Sequence, residues 1–368
     1  MKDSYEIAVV HGDGIGPEVC GAAIEVLDAT LGTGILRFIE YPAGAEHFLA
    51  TGESLPEKTA QACRAADAIL HGAAGLPGAV HPDGTEAGVD FSLKLRFGLD
   101  LYANIRPIRL YDGVESALVG IPAGGIDYVI VRENSEGLYA ARGAGSVLRG
   151  DVAVDTLVQT RKGIERIVRK AFELARLSDG APADGVRRVT CCDKANVLRS
   201  YAFFRAVFDE VAKDYPEIEA EHVIVDAMTM YLVQRPGHFN IIVTENMFGD
   251  ILSDLAAATI GGLGMAPSAE VGADNGLFQP SHGSAPDIAG RGIANPYGMV
   301  LSAAAMLDWL GRKHDDKRLL DAGGRIRRVT EGALSAGCLT TDLKGSATTR
   351  EVTDFLCQAL ASKEPITA

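Results

Sequence analysis

The chain lacks the features of a membrane-spanning, secreted or nucleic-acid-binding protein. Its 368 residues contain no uncharged apolar run of the ~18 residues that a membrane helix needs, and the start, MKDSYEIAVV, has no signal-peptide core. Positive charge is scarce, because 35 Lys and Arg residues face 49 Asp and Glu residues, a net charge of -14. Phosphate backbones and anionic lipids attract cationic surfaces, so we expect no nucleic-acid partner and no membrane partner.

Cysteine is also infrequent. The 6 cysteines include no C-x-x-C pair, and only Cys191 and Cys192 are close in sequence. This spacing predicts neither a disulfide framework nor a cysteine metal site, and it indicates the reduced, buried thiols of a cytoplasmic protein.

Apolar, β-branched runs alternate with helical patterns, which is typical of an α/β protein with at least partly parallel strands. Strands are predicted at residues 7–12, 36–41, 128–133, 189–193, 222–228 and 240–246, and helices at 17–31, 156–177 and 204–215. Loops are predicted where Gly and Pro cluster, at 71–84, 121–126 and 260–276. The length suggests two domains, and because no stretch has linker composition, we expect them to be built from discontinuous segments.

A glycine-rich turn, Gly12-Asp13-Gly14-Ile15-Gly16, separates the first predicted strand from a helix that begins with Pro17-Glu18. It is similar to the dinucleotide-binding turn of a Rossmann fold, with Glu40 in the place of a ribose ligand. Asp13 and Glu18 would, however, repel a pyrophosphate. The pattern therefore favours a tight structural turn that lets the backbone approach a ligand from one side.

Three arginines lie in the middle of the chain: Arg96, Arg106 and Arg132. Arg132 ends a predicted strand, where sites of α/β proteins usually form. Guanidinium groups hold carboxylates through paired hydrogen bonds, so the three indicate a dicarboxylate site. Spacing alone leaves open that they are unrelated surface or salt-bridge arginines.

Acidic residues with metal-ligand chemistry follow. Asp250 and Asp254 are four apart on a predicted helix, which puts both carboxylates on one face, and Asp226 ends a predicted strand. Oxygen ligands with no nearby Cys or His indicate Mg²⁺ or Mn²⁺. The alternative is that Asp250 only stabilises the positive end of its helix while Asp254 is solvated.

Two further residues suit proton transfer. Lys194 directly follows a buried predicted strand and is either a base with a lowered pKa or the partner of Asp193 in a structural ion pair. Tyr139 is either a proton donor or a structural hydroxyl.

The segment 278–296, FQPSHGSAPDIAGRGIANP, is a predicted loop that suits a flat heterocycle and a ribose diol through His282, Asp287 and Asn295. The Asp287 carboxylate would accept bonds from ribose hydroxyls and repel a 2′-phosphate, which selects NAD over NADP.

Together these segments resemble the isocitrate/isopropylmalate family of β-decarboxylating dehydrogenases. The family motifs occur in the family's order at 12–19, 99–107, 129–139, 193–197, 244–257 and 282–296. The resemblance implies an α/β, two-domain isopropylmalate dehydrogenase-like fold that is not a Rossmann fold, with mixed sheets and helices on both faces. It implies a discontinuous first domain, 1–101 plus 261–368, that is mainly cofactor-binding, and a second domain, 102–260, with the dimer interface and metal-binding residues.

The resemblance also implies roles for individual residues. Arg96, Arg106 and Arg132 would hold the carboxylates of a small 2-hydroxy diacid. Tyr139 would act as acid and Lys194 as base, and a homodimer with shared active sites would supply Lys194 and Asp226 from the neighbouring subunit. Asp226, Asp250 and Asp254 would bind Mg²⁺ or Mn²⁺. The implied cofactor contacts are Ile15, Asn196, His282, Gly283, Ser284, Asp287, Ile288, Ala294 and Asn295. NADP-dependent members carry Lys-Tyr in place of Asp287-Ile288, so NAD is the expected cofactor.

The residues expected to recognise the substrate's variable group are Ser92 and Leu93, on the helix that precedes Arg96. By the same resemblance, typical isopropylmalate enzymes carry two leucines at these positions. Isocitrate enzymes carry a Ser and an Asn near here, and homoisocitrate enzymes tend to carry an Arg. No basic residue is available here for a third carboxylate, which favours oxidative decarboxylation of a 3-substituted (R)-malate of the 3-isopropylmalate type.

Other features leave alternatives open. The motif RENSEGLY is closer to the isocitrate, homoisocitrate and tartrate/D-malate branches, and Gln279 and Ser281 replace the more usual Glu and Val. A tartrate/D-malate enzyme, and then an isocitrate or homoisocitrate enzyme, are therefore the alternatives. From another class, a catalytically silent regulatory subunit is the alternative, although Tyr139, Lys194 and the three aspartates are retained.

Overall fold

The computed structural model describes residues 2–82 and 84–362. Its strands are β1 (Tyr5–Gly12), β2 (Leu36–Glu40), β3 (Ala68–Ala73), β4 (Ala103–Arg109), β5 (Asp127–Glu133), β6 (Ser146–Leu148), β7 (Val152–Val154), β8 (Arg188–Asp193), β9 (Glu219–Ile224), β10 (Ile241–Thr244), β11 (Pro267–Val271) and β12 (Gly276–Pro280). Its α-helices are α1 (Gly16–Leu31), α2 (Ala45–Thr51), α3 (Glu57–Ala65), α4 (Asp90–Gly98), α5 (Arg161–Leu177), α6 (Arg199–Ala212), α7 (Val225–Gln234), α8 (Asn246–Ala258), α9 (Tyr297–His314), α10 (Lys317–Ser335) and α11 (Thr349–Ala361). The α/β class predicted from the alternation is confirmed.

These elements form two compact units. Unit 1 comprises Met1–Leu101, Tyr111–Glu115 and Gly261–Ala368, and unit 2 comprises Tyr102–Leu110 and Ser116–Ile260. Both are therefore discontinuous in sequence.

The strands of unit 1 lie in the order β2-β1-β3-β12-β11. Strands β2, β1, β3 and β12 are parallel, and β11 is antiparallel to β12. The carboxyl ends of β1 and β3 coincide, because Gly12 pairs with Ala73. The glycine-rich turn thus begins at the edge of the sheet where parallel strands end.

Helix α4 is fixed to unit 1 by one apolar face. Phe91, Leu95 and Leu99 follow one another at four-residue spacing and are buried in a cluster that also contains Ile69 and Leu277. This packing sets the rotation of α4 and so the direction of Ser92 and Arg96, which are also buried.

The strands of unit 2 lie in the order β4-β5-β10-β8-β9. Strands β5, β10, β8 and β9 are parallel, and β4 is antiparallel to β5. Thr244 pairs with both Arg132 and Cys192 in adjacent strands, so the carboxyl ends of three parallel strands lie together. Residues that end or directly follow these strands are consequently neighbours.

Unit 2 also contains a small antiparallel hairpin, β6–β7, that is not part of the larger sheet. Its apolar side chains are exposed, with Val147 at 72% and Leu148 at 54%. A two-stranded hairpin is only marginally stable by itself in water.

Two differences from the predicted segments concern the residues of the predicted site. The predicted strand 222–228 ends at Ile224, so Asp226 lies in the first turn of α7 and not at a strand end. A carboxylate there is stabilised by the helix dipole, which an apolar run does not reveal. The predicted loop 260–276 contains β11, whose five residues are all buried.

No helix within residues 2–82 and 84–362 is long and apolar enough to cross a membrane. All six cysteines are free, and Cys20, Cys63, Cys191 and Cys192 are buried.

Candidate active site

The glycines of the turn in unit 1 allow close packing of the backbone. A Cβ on Gly12 would lie 1.8 Å from the Ala73 carbonyl oxygen, and one on Gly14 would lie 2.1 Å from that of Ser284. Asp13 is fully buried, and its carboxylate accepts hydrogen bonds from three backbone amides, those of Ala45, Glu46 and Gly75, at 2.8–2.9 Å. The carboxylate is therefore satisfied by the fold, and the structural interpretation of this turn is the one its geometry supports.

The turn and the loop between β12 and α9 are joined by hydrogen bonds. The Ile15 amide donates to the Ser284 carbonyl at 2.8 Å, and the Ser284 hydroxyl donates to the Gly75 carbonyl. The Ala294 amide donates to the Glu18 carboxylate at 3.0 Å. Two of the predicted cofactor residues, Ile15 and Ser284, are thus in direct contact within unit 1.

The rest of the predicted cofactor loop is buried and hydrogen-bonded at its end, and several of its other residues are exposed. Asn295 is buried, and its side-chain amide donates to Asp342 at 2.9 Å, whereas Asp287 and Gly283 are exposed and Ile288 is half-buried. Burial lowers the pKa of His282, which favours the neutral imidazole.

His282 also carries an unsatisfied ring nitrogen. Its Nδ1 lies 2.9 Å from the Gly283 carbonyl, and its Nε2 has no hydrogen-bond partner among the described atoms. A buried ring nitrogen without a partner fits a position that contacts a bound molecule.

The last predicted cofactor residue, Asn196, is exposed on the turn after β8 in unit 2.

Arg132, at the end of β5, is held against helix α8. It is only 2% exposed, and its Nε and Nη2 donate to Asn246 Oδ1 at 3.0 and 2.7 Å. Its Nη1 donates to Asp250. A Cβ on Gly249 would lie 2.6 Å from the Arg132 Cβ, so a glycine at this position lets the arginine lie against the helix.

Arg106, on β4, approaches the same helix. Its Nη2 lies 3.5 Å from Asp250 Oδ1, and its Nη1 lies 3.7 Å from Asp254 Oδ1 and donates to the Ser253 hydroxyl. Asn104 accepts a further bond from its Nε at 3.3 Å. Two buried guanidinium groups therefore converge on two carboxylates of one helix face.

Tyr139 completes this cluster. It lies in a short 3₁₀ turn after β5, and its hydroxyl donates to Asp250 Oδ2 at 3.1 Å. The Arg132 guanidinium carbon lies 5.5 Å from the centre of the tyrosine ring, within cation–π range. One carboxylate thus contacts two arginines and the predicted proton donor.

Lys194 lies directly after β8 as predicted, but its partner differs from the one considered from sequence. It forms an ion pair with Asp226, which lowers the pKa of that carboxyl. Asp193 is fully buried and instead pairs with Arg205, at 2.8 Å. The alternative of a structural Lys194–Asp193 ion pair is wrong, because the Asp193 carboxylate already accepts hydrogen bonds from the Arg205 guanidinium and the Ala195 amide.

The carboxylates suit a hard divalent cation only in part. Asp250 and Asp254 have side-chain exposures of 39% and 59% and offer oxygen atoms on one helix face. Burial, together with the negative charge of Asp250, raises the pKa of Asp254. Asp226 forms its ion pair with Lys194. No group of three His, Cys, Asp or Glu residues suited to a metal is present in residues 2–82 and 84–362 of one chain.

The substrate-recognition residues predicted on α4 lie in unit 1. Ser92 is buried, Leu93 is half-buried, and Lys94 is exposed. Arg96 is buried and forms a paired ion bridge with Glu270 of β11, at 3.0 and 2.7 Å.

Sequence reasoning missed several residues that hold these arginines: Asn104, Asn246, Ser253 and Glu270. Asn246 and Ser253 share a helix face with Asp250 and Asp254 at spacings of three and four, so helical periodicity was a usable signal. Glu270 had none, because its segment was predicted to be a loop.

The chain is similar to known proteins over almost its whole length. Residues 6–356 match the family model described as isocitrate/isopropylmalate dehydrogenase. A 3-isopropylmalate/3-methylmalate dehydrogenase of Methanocaldococcus jannaschii is 44% identical over 95% of this chain and 97% of its own. An isocitrate/homoisocitrate dehydrogenase of Thermus thermophilus is 43% identical over 98% of this chain and 99% of its own. The crystal structure of isocitrate dehydrogenase from Methylococcus capsulatus matches with a TM-score of 0.85 and 36% identity, over 97% of this chain and 100% of that one.

The fold and the sequence matches define a decarboxylating dehydrogenase. The chain belongs to the isocitrate/isopropylmalate dehydrogenase family, as the motifs predict, and several relatives at 42–44% identity are named 3-isopropylmalate dehydrogenase.

Proposed function

We propose that this enzyme is an NAD-dependent dehydrogenase that oxidatively decarboxylates a 3-substituted (R)-malate, of the 3-isopropylmalate type, with Mg²⁺ or Mn²⁺. The observation that carries the proposal is the convergence of Arg106, Arg132 and Tyr139 on Asp250. Two guanidinium groups can hold the carboxylates of a diacid, with Arg96 as a third, while Asp250 and Asp254 supply cation ligands. The cluster thus provides positive charge to bind the substrate carboxylates and negative charge to bind a cation. Both lie next to the proposed proton donor, Tyr139.

The chain's own residues account for the proton transfers. When bound, a divalent cation would polarise the C2 oxygen and NAD would accept the hydride from C2. Lys194 would take the proton of the C2 hydroxyl as a neutral amine, which requires that a bound cation replace it as the partner of Asp226. The β-keto acid loses CO₂, and Tyr139 gives its proton to C3 of the enolate that remains. The Tyr139 hydroxyl donates to Asp250 in the structure, so this bond must be exchanged for one to the substrate before the proton reaches C3.

The cofactor assignment rests on the loop after β12. The exposed Asp287 carboxylate would accept hydrogen bonds from the ribose hydroxyls of NAD and repel the 2′-phosphate of NADP. His282, Gly283, Ser284, Ile288, Ala294 and Asn295 are the proposed loop contacts, with Ile15 and Asn196 outside the loop. Replacing Asp287 by Lys and Ile288 by Tyr is expected to raise kcat/KM for NADP relative to NAD.

The proposed substrate follows from Ser92, Leu93 and the relatives. A half-buried leucine favours an alkyl substituent, and neither residue offers a positive charge to a third carboxylate. Ser92 leaves D-malate or tartrate as the second candidate, because a hydroxyl suits a smaller or more polar substituent.

A substrate panel tests the function. The purified protein with NAD and Mn²⁺ is assayed on 3-isopropylmalate, D-malate, tartrate, isocitrate and homoisocitrate, and kcat/KM is compared. We expect the highest value for 3-isopropylmalate. A higher value for isocitrate or homoisocitrate contradicts the proposed substrate, and no turnover of any acid would support a regulatory subunit.

We further propose that the active form is a homodimer with shared sites. The exposed apolar side chains of the β6–β7 hairpin need a cover, and a second copy of the chain can provide it. Asp226 and Lys194 of one copy would then complete the site formed by Asp250, Asp254 and Tyr139 of the other.

Subunit mixing tests this arrangement. Tyr139→Phe and Lys194→Met homodimers are each expected to be nearly inactive. If the two residues come from different chains, random re-association gives mixed dimers with one intact site and about a quarter of wild-type activity. If each site is built from one chain, mixing restores nothing.

A further inference from the structure

Asn246, the first residue of α8, is a fully buried polar side chain between two parts of the candidate site. Its side-chain oxygen accepts hydrogen bonds from the Arg132 Nε and Nη2 atoms, at 3.0 and 2.7 Å. Its side-chain NH₂ group donates to the Glu136 carbonyl at 3.1 Å. A guanidinium group can only donate and a carbonyl can only accept, so the two partners together fix the orientation of this amide.

The turn that contains Glu136 leads to Tyr139, three residues further along the chain. It packs closely against the start of α8, because a Cβ on Gly137 would lie 3.2 Å from the Asn246 Cβ. The Gly137 amide also donates to the Val158 carbonyl at 2.8 Å. The backbone that carries Tyr139 is therefore held on one side by Asn246 and on another by the segment near residue 158.

We propose that Asn246 is a positioning residue for two steps of the reaction. Its oxygen orients Arg132 for a substrate carboxylate, and its NH₂ group holds the turn that places Tyr139 for proton transfer. The inference rests on the proposed function, in which Arg132 binds the substrate and Tyr139 protonates the enolate. Since the amide is planar and buried, it keeps the two groups in a fixed relative position before the substrate binds.

Asn246→Ala removes both contacts. We expect KM to rise about tenfold, because Arg132 loses two buried hydrogen bonds, and kcat to fall about tenfold or more, because Tyr139 is less accurately placed. The substrate is whichever acid of the panel gives the wild-type enzyme its highest kcat/KM. NAD and Mn²⁺ are saturating, and kcat is calculated per folded molecule.

A double-mutant cycle with Tyr139→Phe separates positioning from a general effect on the fold. If Asn246 acts on kcat through Tyr139, then Asn246→Ala in the Tyr139→Phe background should lower kcat by less than about twofold, while KM should still rise. Independent structural damage would lower kcat by the same factor in both backgrounds, and that result would overturn the proposal.

Ser253→Ala is the matched control on the same helix. Ser253 is 2% exposed, accepts a hydrogen bond from Arg106 and lies about two turns along α8 from Asn246. Removing its hydroxyl should raise KM and should lower kcat less than Asn246→Ala does. An equal or larger loss of kcat in the control would overturn the proposal, because any disturbance of α8 would then be sufficient.

If Asn246→Ala does not fold, Asn246→Asp replaces it in the cycle. An aspartate has nearly the same shape and can accept from Arg132, but when ionised it cannot donate to the Glu136 carbonyl. Its kcat should fall when Tyr139 is present and change little in the Tyr139→Phe background, and an equal fall in both counts against the proposal. Failure of the proposed function is distinct, because the wild-type enzyme would then turn over no acid of the panel.

Discussion

Two aspartates from the family motifs have carboxylates with different kinds of partner. One is Asp13, in the glycine-rich turn of unit 1, and the other is Asp250, on helix α8 of unit 2. Asp13 is fully buried, and backbone amides occupy its oxygens. Asp250 keeps 39% of its side chain exposed and contacts arginine and tyrosine side chains. Backbone amides cannot move without disturbing the fold, whereas side-chain partners and solvent can be exchanged for a ligand. Partner type thus separates a carboxylate that stabilises the fold from one that is available for chemistry.

The largest expected effect comes from Asp250→Asn. The change removes a proposed cation ligand and the charged partner of Arg106, Arg132 and Tyr139, so kcat/KM should fall by about 10²-fold or more. The free energy of unfolding should change much less, because the residue is partly exposed. Steady-state kinetics and urea unfolding of the same preparation measure both. A large loss of stability with normal turnover per folded molecule would instead show that Asp250 stabilises the fold.

Asp13→Asn should give the opposite pattern. An asparagine directs its NH₂ group at a backbone amide that also donates, which leaves a buried donor unsatisfied. We expect the free energy of unfolding to fall by about 1–3 kcal/mol. Turnover per folded molecule should stay near the wild-type value at a temperature well below the unfolding transition, and a specific loss of NAD affinity would instead assign Asp13 to the cofactor site.

The smallest effect is expected at Asp316, a second buried carboxylate of unit 1. Hydrogen bonds from Arg318 and from the Tyr5 hydroxyl lower the pKa of this group to about 2. Because the pKa is lower in the folded state, the stabilisation is present above the ordinary pKa of 3.8 and is lost as the pH falls toward 2. Asp316→Asn should therefore lower the free energy of unfolding by about 1–2 kcal/mol at pH 7.

The measurement is urea unfolding of both proteins at several pH values from 7 down to 3. The difference between them should be constant near neutral pH and shrink in acid. Asp315→Asn is the matched control, since Asp315 is exposed and has a left-handed backbone (φ 51) that asparagine tolerates. A difference that does not vary with pH would exclude the ionised carboxylate as its cause.

Local pattern predicted the parts of the site that depend on one element. Helical periodicity placed Asp250 and Asp254 on one face, and α8 confirms this helix. The alternation of apolar runs placed Lys194 after β8 and Arg132 in β5. These inferences succeeded because each required only the period of a single helix or strand.

The parts that depend on tertiary contacts were missed. The Arg96–Glu270 pair joins α4 to a strand whose small and apolar residues, PSAEV, were taken for part of a loop. Asp226 was placed at a strand end because the apolar run continues without a break into α7. Glu270, the partner of Arg96, and Lys194, the partner of Asp226, are both far from these residues in sequence. The period of a single helix or strand therefore cannot indicate either contact.

The position of β12 in unit 1 has a consequence for synthesis on the ribosome. Strand β3 ends at Ala73, and its neighbour β12 begins only at Gly276, so this sheet stays incomplete until most of the chain has been translated. The segment Ser116–Ile260 of unit 2 has left the exit tunnel before then. Nascent chains should therefore expose the apolar edge of β3 for a long interval, which makes the amino-terminal segment the one that chaperones must protect.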